Sequence, residues 1–149
     1  MSVTTAVPED QLDPAKFRDP DLTAAGERRA SVGLDALETL WFNTGTLCNL
    51  TCASCYIESS PKNDRLVYIS AAEVRTFLDE IRTLKLPTTE IAFTGGEPFM
   101  NPDIIAILES VLEAGFKCLV LTNAMRPMMK CTDGLRQLRE RFGDKLTIR

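Results

Sequence analysis

Cys48, Cys52 and Cys55 fall within the eight residues Cys48-Asn49-Leu50-Thr51-Cys52-Ala53-Ser54-Cys55 and make up three of the chain's five cysteines. Thiols at that spacing can bind a metal, form a disulfide or fill a core. An odd cysteine count argues against a complete disulfide framework. The chain contains no histidine. A closed zinc site usually takes four Cys or His ligands, so here its fourth would have to be Cys118, Cys131 or a carboxylate. Iron–sulfur clusters are held by cysteine thiolates, and a fully ligated cubane takes four. Three thiolates leave one iron open to an outside ligand, and the metal keeps such thiols deprotonated. A second segment, Thr94-Gly95-Gly96-Glu97-Pro98, offers complementary chemistry. Gly95 and Gly96 lack Cβ and let the backbone approach a ligand closely. Glu97 carries a charge suited to an ammonium group. The two segments together describe a pocket for a zwitterionic molecule beside an open metal.

The elements that must position these residues can be read from the pattern. Residues 39–42 read as a strand and 70–85 as a helix, with Ser70 and Glu73 as a capping box and Val74, Phe77, Leu78 and Ile81 as one apolar stripe. Residues 90–94 read as a strand. Residues 101–115 read as a helix capped by Asn101, with Pro102 in its first turn and Gly115 at its end. Residues 117–123 form a near-continuous apolar strand, as a buried parallel strand should. Residues 133–142 read as a helix with Leu135, Leu138 and Phe142 inward, and 145–149 begin a fourth strand. This alternation predicts an α/β fold with a parallel sheet and right-handed crossovers. Ligand sites in such folds lie beyond the carboxyl ends of the strands. The cysteine segment follows the first strand, Thr94–Pro98 follows the second, and Thr122-Asn123-Ala124 ends the third. Strands paired in sequence order bring all three to one face. Upstream, residues 1–22 read as a loose arm, and 23–38 as a short helix weakened by Gly26 and Gly33.

Composition narrows the function classes. The chain has 149 residues, 44% of them hydrophobic, enough for one domain with a core. The net charge of −4, without a Lys/Arg cluster, gives no nucleic-acid footprint. The N-terminus lacks the basic and apolar regions of a signal peptide. No apolar run reaches the roughly 20 residues that cross a bilayer, so the expected location is the cytoplasm, where thiols stay reduced, with no membrane partner.

Cys48-x3-Cys52-x2-Cys55, followed after the next strand by Thr94-Gly95-Gly96-Glu97-Pro98, resembles the radical S-adenosylmethionine (radical SAM) superfamily. The resemblance covers residues 39–149, read as a radical SAM core domain following the 1–38 arm. It implies parallel βα repeats forming the first half of a partial (β/α)6 TIM-like barrel. It implies a 4Fe-4S cluster on Cys48, Cys52 and Cys55. The amine and carboxylate of S-adenosylmethionine then chelate the fourth iron, and one-electron reduction yields a 5′-deoxyadenosyl radical that abstracts hydrogen from a substrate. Gly95, Gly96 and Glu97 resemble the segment that grips the methionine amine, and Asn123 the polar residue that faces cofactor or substrate. An electron donor such as a flavodoxin or ferredoxin is implied, as is a small-molecule or peptide substrate; "CNLxCxxCY" is similar to the peptide-modifying branch. The family usually places an aromatic residue before the third cysteine, near adenine; Ser54 stands there in this chain, and Tyr56 follows Cys55.

The alternative is a non-catalytic, cysteine-rich metal-binding module holding zinc or an iron–sulfur centre. Cys118 reads as an inert core residue, and Cys131 as a loop cysteine weakly suited to a second cluster. Met-rich 124–131 reads as adaptable packing or a lid, Asn123 alternatively as a turn cap, and Trp41 and Phe42 as core. No catalytic residue beyond the cofactor ligands is assigned. Because the family pattern continues beyond the fourth strand, the sequence reads as a core truncated in that strand, with little turnover by itself.

Overall fold

The computed structural model describes residues 18–149; the arm expected over residues 1–22 lies almost wholly outside them. The chain divides into two compact units, Met1–Asp35 and Ala36–Arg149. In the first, the helix expected from residue 23 does not form. Gly26 takes φ +77°, its N–H donates to the Thr23 carbonyl at 2.9 Å, and Leu22 bridges antiparallel to Arg28. A left-handed glycine closes a turn at little cost and ends a helix, and here it decides between the two.

The second unit is a four-stranded parallel sheet with helices between the strands. Its elements run β1 (Thr39–Asn43), α1 (Ala71–Leu84), β2 (Glu90–Thr94), α2 (Ile104–Glu113), β3 (Lys117–Val120), α3 (Arg126–Met129), α4 (Thr132–Phe142) and β4 (Leu146–Ile148). The strand order is β1-β2-β3-β4, with Leu40 level with Ile91, Ile91 with Cys118, and Cys118 with Leu146. That row points to the helices. Its side chains, with Phe42, Phe93 and Val120, pack against Val74, Leu78 and Ile81 of α1 and Ile104, Ile107, Leu108 and Val111 of α2. Phe42 stacks on Phe93 at 5.6 Å between centroids. Trp41 points the other way and is 46% exposed, so of the expected core pair only Phe42 is core. The cause is the two-residue period of a strand, which sends neighbours to opposite faces.

Local chemistry explains the boundaries. The capping box at α1 forms as read: Ser70 Oγ accepts from the Glu73 N–H, and Glu73 accepts from the Ser70 N–H at 2.8 Å. The second helix starts three residues later than the sequence suggests. Asn101 stands ahead of the helix proper: its Oδ1 accepts from the Asp103 N–H at 2.9 Å and its Nδ2 donates to the Ile69 carbonyl at 2.8 Å, while Asp103, at the N-cap position, accepts from the Ala71 N–H at 3.0 Å. Both side chains also tie this loop to the start of α1. Between β2 and α2 the chain makes a short 3-10 turn at Pro98–Met100. Within the Met-rich stretch, Arg126–Met129 forms one helical turn with Pro127 in its first positions, where a missing N–H costs nothing. Arg141 pairs with Glu109 and Glu113, linking α4 to α2 on the surface, where such pairs contribute about 1 kcal/mol or less.

Candidate active site at the carboxyl edge of the sheet

The loops after β1, β2 and β3 meet at the carboxyl edge of the sheet. The Gly96 N–H donates to the Gly45 carbonyl at 2.8 Å and the Glu97 N–H to the Leu47 carbonyl at 3.0 Å. A Cβ on Gly96 would lie 2.1 Å from the Leu47 carbonyl oxygen, and one on Gly95, at φ +133°, would lie 2.7 Å from the Gly45 oxygen. The space the two glycines leave is therefore taken up by the backbone that leads into Cys48. Thr44 and Thr46 are buried beside it. Thr44 Oγ1 donates to the Thr94 carbonyl at 3.0 Å, and Thr46 Oγ1 accepts from the Leu66 N–H at 3.0 Å, so the entry and exit of the cysteine loop are both fixed.

Glu97 sits beneath this junction, only 1% exposed. Its Oε1 accepts from the Phe99 N–H at 3.0 Å, and the Thr122 hydroxyl lies 2.8 and 2.9 Å from its two oxygens. Oε2 also accepts from the Asn123 N–H at 2.9 Å. A buried carboxylate without donors would be costly; this one has three, and two of them, from Thr122 and Asn123, tie the loop after β2 to the end of β3. Asn123 extends the link to the cysteines. Its Nδ2 donates to Asn49 Oδ1 at 3.0 Å and lies 3.8 Å from Cys48 Sγ. The same side chain also caps a turn, because its Oδ1 accepts from the Met125 N–H at 3.1 Å.

The three loop cysteines differ in setting. Cys48 is buried, Cys55 half-buried and Cys52 exposed. Cys48 Sγ accepts from the Leu50 N–H at 3.4 Å and Cys55 Sγ from the Ser59 N–H at 3.3 Å. The Ser59 and Ile57 N–H groups hold the Cys55 thiol below its usual range. Among the described residues, no three His, Cys, Asp or Glu side chains stand close enough together to hold a metal ion. The donor chemistry nevertheless fits a thiolate-bound group: N–H donors already face two of the sulfurs, Cys52 is exposed, and the buried Ser59 side chain lies beside Cys55. Ser54 and Tyr56 are both exposed.

The other two cysteines stand apart. Cys118 is buried in β3, and desolvation, followed by the charge of Glu90, pushes its thiol up to about 12. Cys131 packs against the core, and burial and then the charge of Glu97 raise its thiol. One feature escaped the sequence reading. A cleft of about 470 Å3 opens beside Asn49, lined by Phe99, Met100, Arg126, Pro127 and Lys130. Arg126 and Pro127 are set there by a single helical turn with no apolar period to announce it. No helix among the described residues is long and apolar enough to cross a membrane.

A parallel βα sheet with glycine-rich and cysteine-rich loops meeting at its carboxyl edge defines a class, and the family comparison gives it a name. Residues 42–148 match the radical SAM superfamily, and the chain belongs to that family, whose characterised members include enzymes. It is 41% identical over 76 residues to the antilisterial bacteriocin subtilosin biosynthesis protein AlbA of Bacillus subtilis (strain 168), covering 51% of this chain and 16% of AlbA. It is 30% identical over 76 residues to the S-adenosylmethionine-dependent nucleotide dehydratase of Selenomonas ruminantium, covering 51% of this chain and 26% of that one. The fold is similar to that of Streptococcus suis SuiB bound to S-adenosylmethionine, with a TM-score of 0.58 and 21% identity over 76% of this chain and 24% of SuiB. The chain thus spans about a sixth to a quarter of the length of these relatives. The same similarity extends to SuiB bound to its precursor peptide SuiA.

Proposed function

We propose that this chain carries the cluster- and cofactor-binding part of a radical SAM enzyme acting on a peptide. Cys48, Cys52 and Cys55 hold a 4Fe-4S cluster, and S-adenosylmethionine rests beside it on the half-buried backbone of Gly95 and Gly96, with the Glu97 carboxylate enclosed below. A bound cluster would supply the electron, delivered by a flavodoxin- or ferredoxin-like donor, that breaks a carbon–sulfur bond of S-adenosylmethionine. The chain's own residues prepare the place. Gly95 and Gly96 keep the β2 loop pressed on the cysteine loop. Glu97 acts from beneath, fixing Thr122 and Asn123 so that the floor of the pocket keeps its shape. The cleft between Phe99, Met100, Arg126 and Lys130 gives a substrate an approach beside Asn49. The carrying observation is the junction itself, in which N–H donors face the sulfurs of Cys48 and Cys55 and Glu97 links the three loops. The peptide class is supported by the likeness to AlbA and to SuiB.

The test is anaerobic reconstitution of the chain with iron and sulfide, followed by reduction. The reading predicts an EPR signal that changes when S-adenosylmethionine is added. Bound zinc without acid-labile sulfide, or a spectrum indifferent to S-adenosylmethionine, would favour a non-catalytic metal module.

A further inference from the structure

Asn123 is held on three sides. Its backbone N–H is fixed by Glu97, and its Oδ1 is taken by the Met125 N–H. The amide therefore has only one orientation, with Nδ2 toward the cysteine loop. There it has two hydrogens and meets two acceptors, Asn49 Oδ1 at 3.0 Å and Cys48 Sγ at 3.8 Å. Cys48 is the most buried of the three loop cysteines, and hydrogen bonds are strongest where water does not compete. Donors to cluster sulfurs are among the factors that set a cluster's reduction potential, because reduction adds negative charge that a donor stabilises.

We propose that the Asn123 carboxamide is a positioned hydrogen-bond donor to the Cys48 thiolate, clamped by Glu97, and that it raises the reduction potential of the cluster. This rests on the reading that Cys48, Cys52 and Cys55 hold that cluster. Asn123 touches a ligand rather than the reacting atoms, and Glu97 and Thr122 act through it as positioning residues. The chain of contacts Glu97–Asn123–Cys48 also gives the buried carboxylate a purpose beyond joining loops: it fixes the direction of the amide.

The test is redox titration of the reconstituted chain, followed by EPR at fixed poised potentials. Asn123→Ala removes the donor. It is expected to lower the ratio of reduced to oxidised cluster about threefold to tenfold, a tenfold change being 59 mV for one electron. Asn123→Asp keeps an oxygen for the Met125 N–H, and so keeps the turn, but turns a carboxylate toward the sulfur. It is expected to lower the ratio further. Asn49→Ala removes the competing acceptor and leaves the amide in place, so the ratio should hold or rise. An unchanged ratio in Asn123→Ala, a shift there without one in Asn123→Asp, or a fall in Asn49→Ala overturns the proposal. A parent chain that takes up no cluster defeats the reading of the cysteine loop instead. A parent that takes it up, with variants at its own potential, defeats only the role of Asn123.

Discussion

Cys55 and Cys118 are the same side chain in opposite surroundings. Cys118 lies inside β3, 1% exposed, where desolvation holds its thiol protonated at about 12. Cys55 lies in a loop, with the Ser59 and Ile57 N–H groups aimed at its sulfur and its thiol held below the ordinary range. Burial and exposure alone do not separate the two roles, since Cys48 is also buried. What differs is the supply of donors: the Cys48 and Cys55 sulfurs receive backbone N–H groups, whereas Cys118 sits in the apolar cluster between sheet and helices. A thiol meant to remain a thiolate needs donors or a metal, and a thiol meant to pack needs neither.

The largest expected effect separates the two regions outright. Cys52→Ala should reduce bound iron and sulfide after reconstitution to background, because two thiolates cannot hold the cubane. Cys118→Ala should leave both at the parent level. Iron retained by Cys52→Ala, or lost by Cys118→Ala, breaks the division.

Reactivity should follow the same division. In the folded, metal-free chain at neutral pH, Cys55 should be alkylated much faster than Cys118, since only an accessible thiolate reacts. Peptide mapping after timed labelling reads the ratio, and comparable rates would refute the assigned environments.

Gly96→Val sharpens the account of how the loop is held. Its Cβ would fall 2.1 Å from the Leu47 carbonyl oxygen, so the β2 loop and the cysteine loop must separate. Overpacking of this kind costs about 1–3 kcal/mol or more. Denaturant unfolding should show that loss, together with reduced cluster uptake; full stability would mean the junction is looser than described.

The effect visible only at high pH is a slope. A thiol raised from 9 to about 12 by burial favours the folded state fully below pH 9, and that contribution is lost as pH rises toward 12, because the unfolded chain releases its proton first. Cys118→Ala removes the term. Its stability should fall less steeply than the parent's above pH 9, by at most about 1.4 kcal/mol per pH unit. Parallel curves would show that Cys118 ionises as freely in the fold as out of it.

The order of the strands and the meeting of their carboxyl-end loops were legible because both follow from local pattern plus right-handed crossovers. The Ser70–Glu73 box was legible for the same reason, since its partners are three residues apart. What escaped depended on distant groups. Asn101 reads as a cap alone, whereas its amide also reaches Ile69 and the helix proper begins at Ile104. Glu97 reads as a charge suited to an ammonium group until Thr122 and Asn123 enclose it. Arg126–Met129 forms a turn of helix too short to show a period, and with it the cleft beside Asn49 went unseen. Trp41 reads as core on its type alone, whereas the two-residue period of β1 sends it to the face opposite Phe42, where it is 46% exposed.

The central claim is that three thiolates on one loop leave a single iron for S-adenosylmethionine. Mössbauer spectroscopy of the chain reconstituted with 57Fe, with and without S-adenosylmethionine, tests it most directly. The account predicts that about one iron in four changes its environment on addition while the rest keep theirs. No change, or an equal change at every iron, would contradict it.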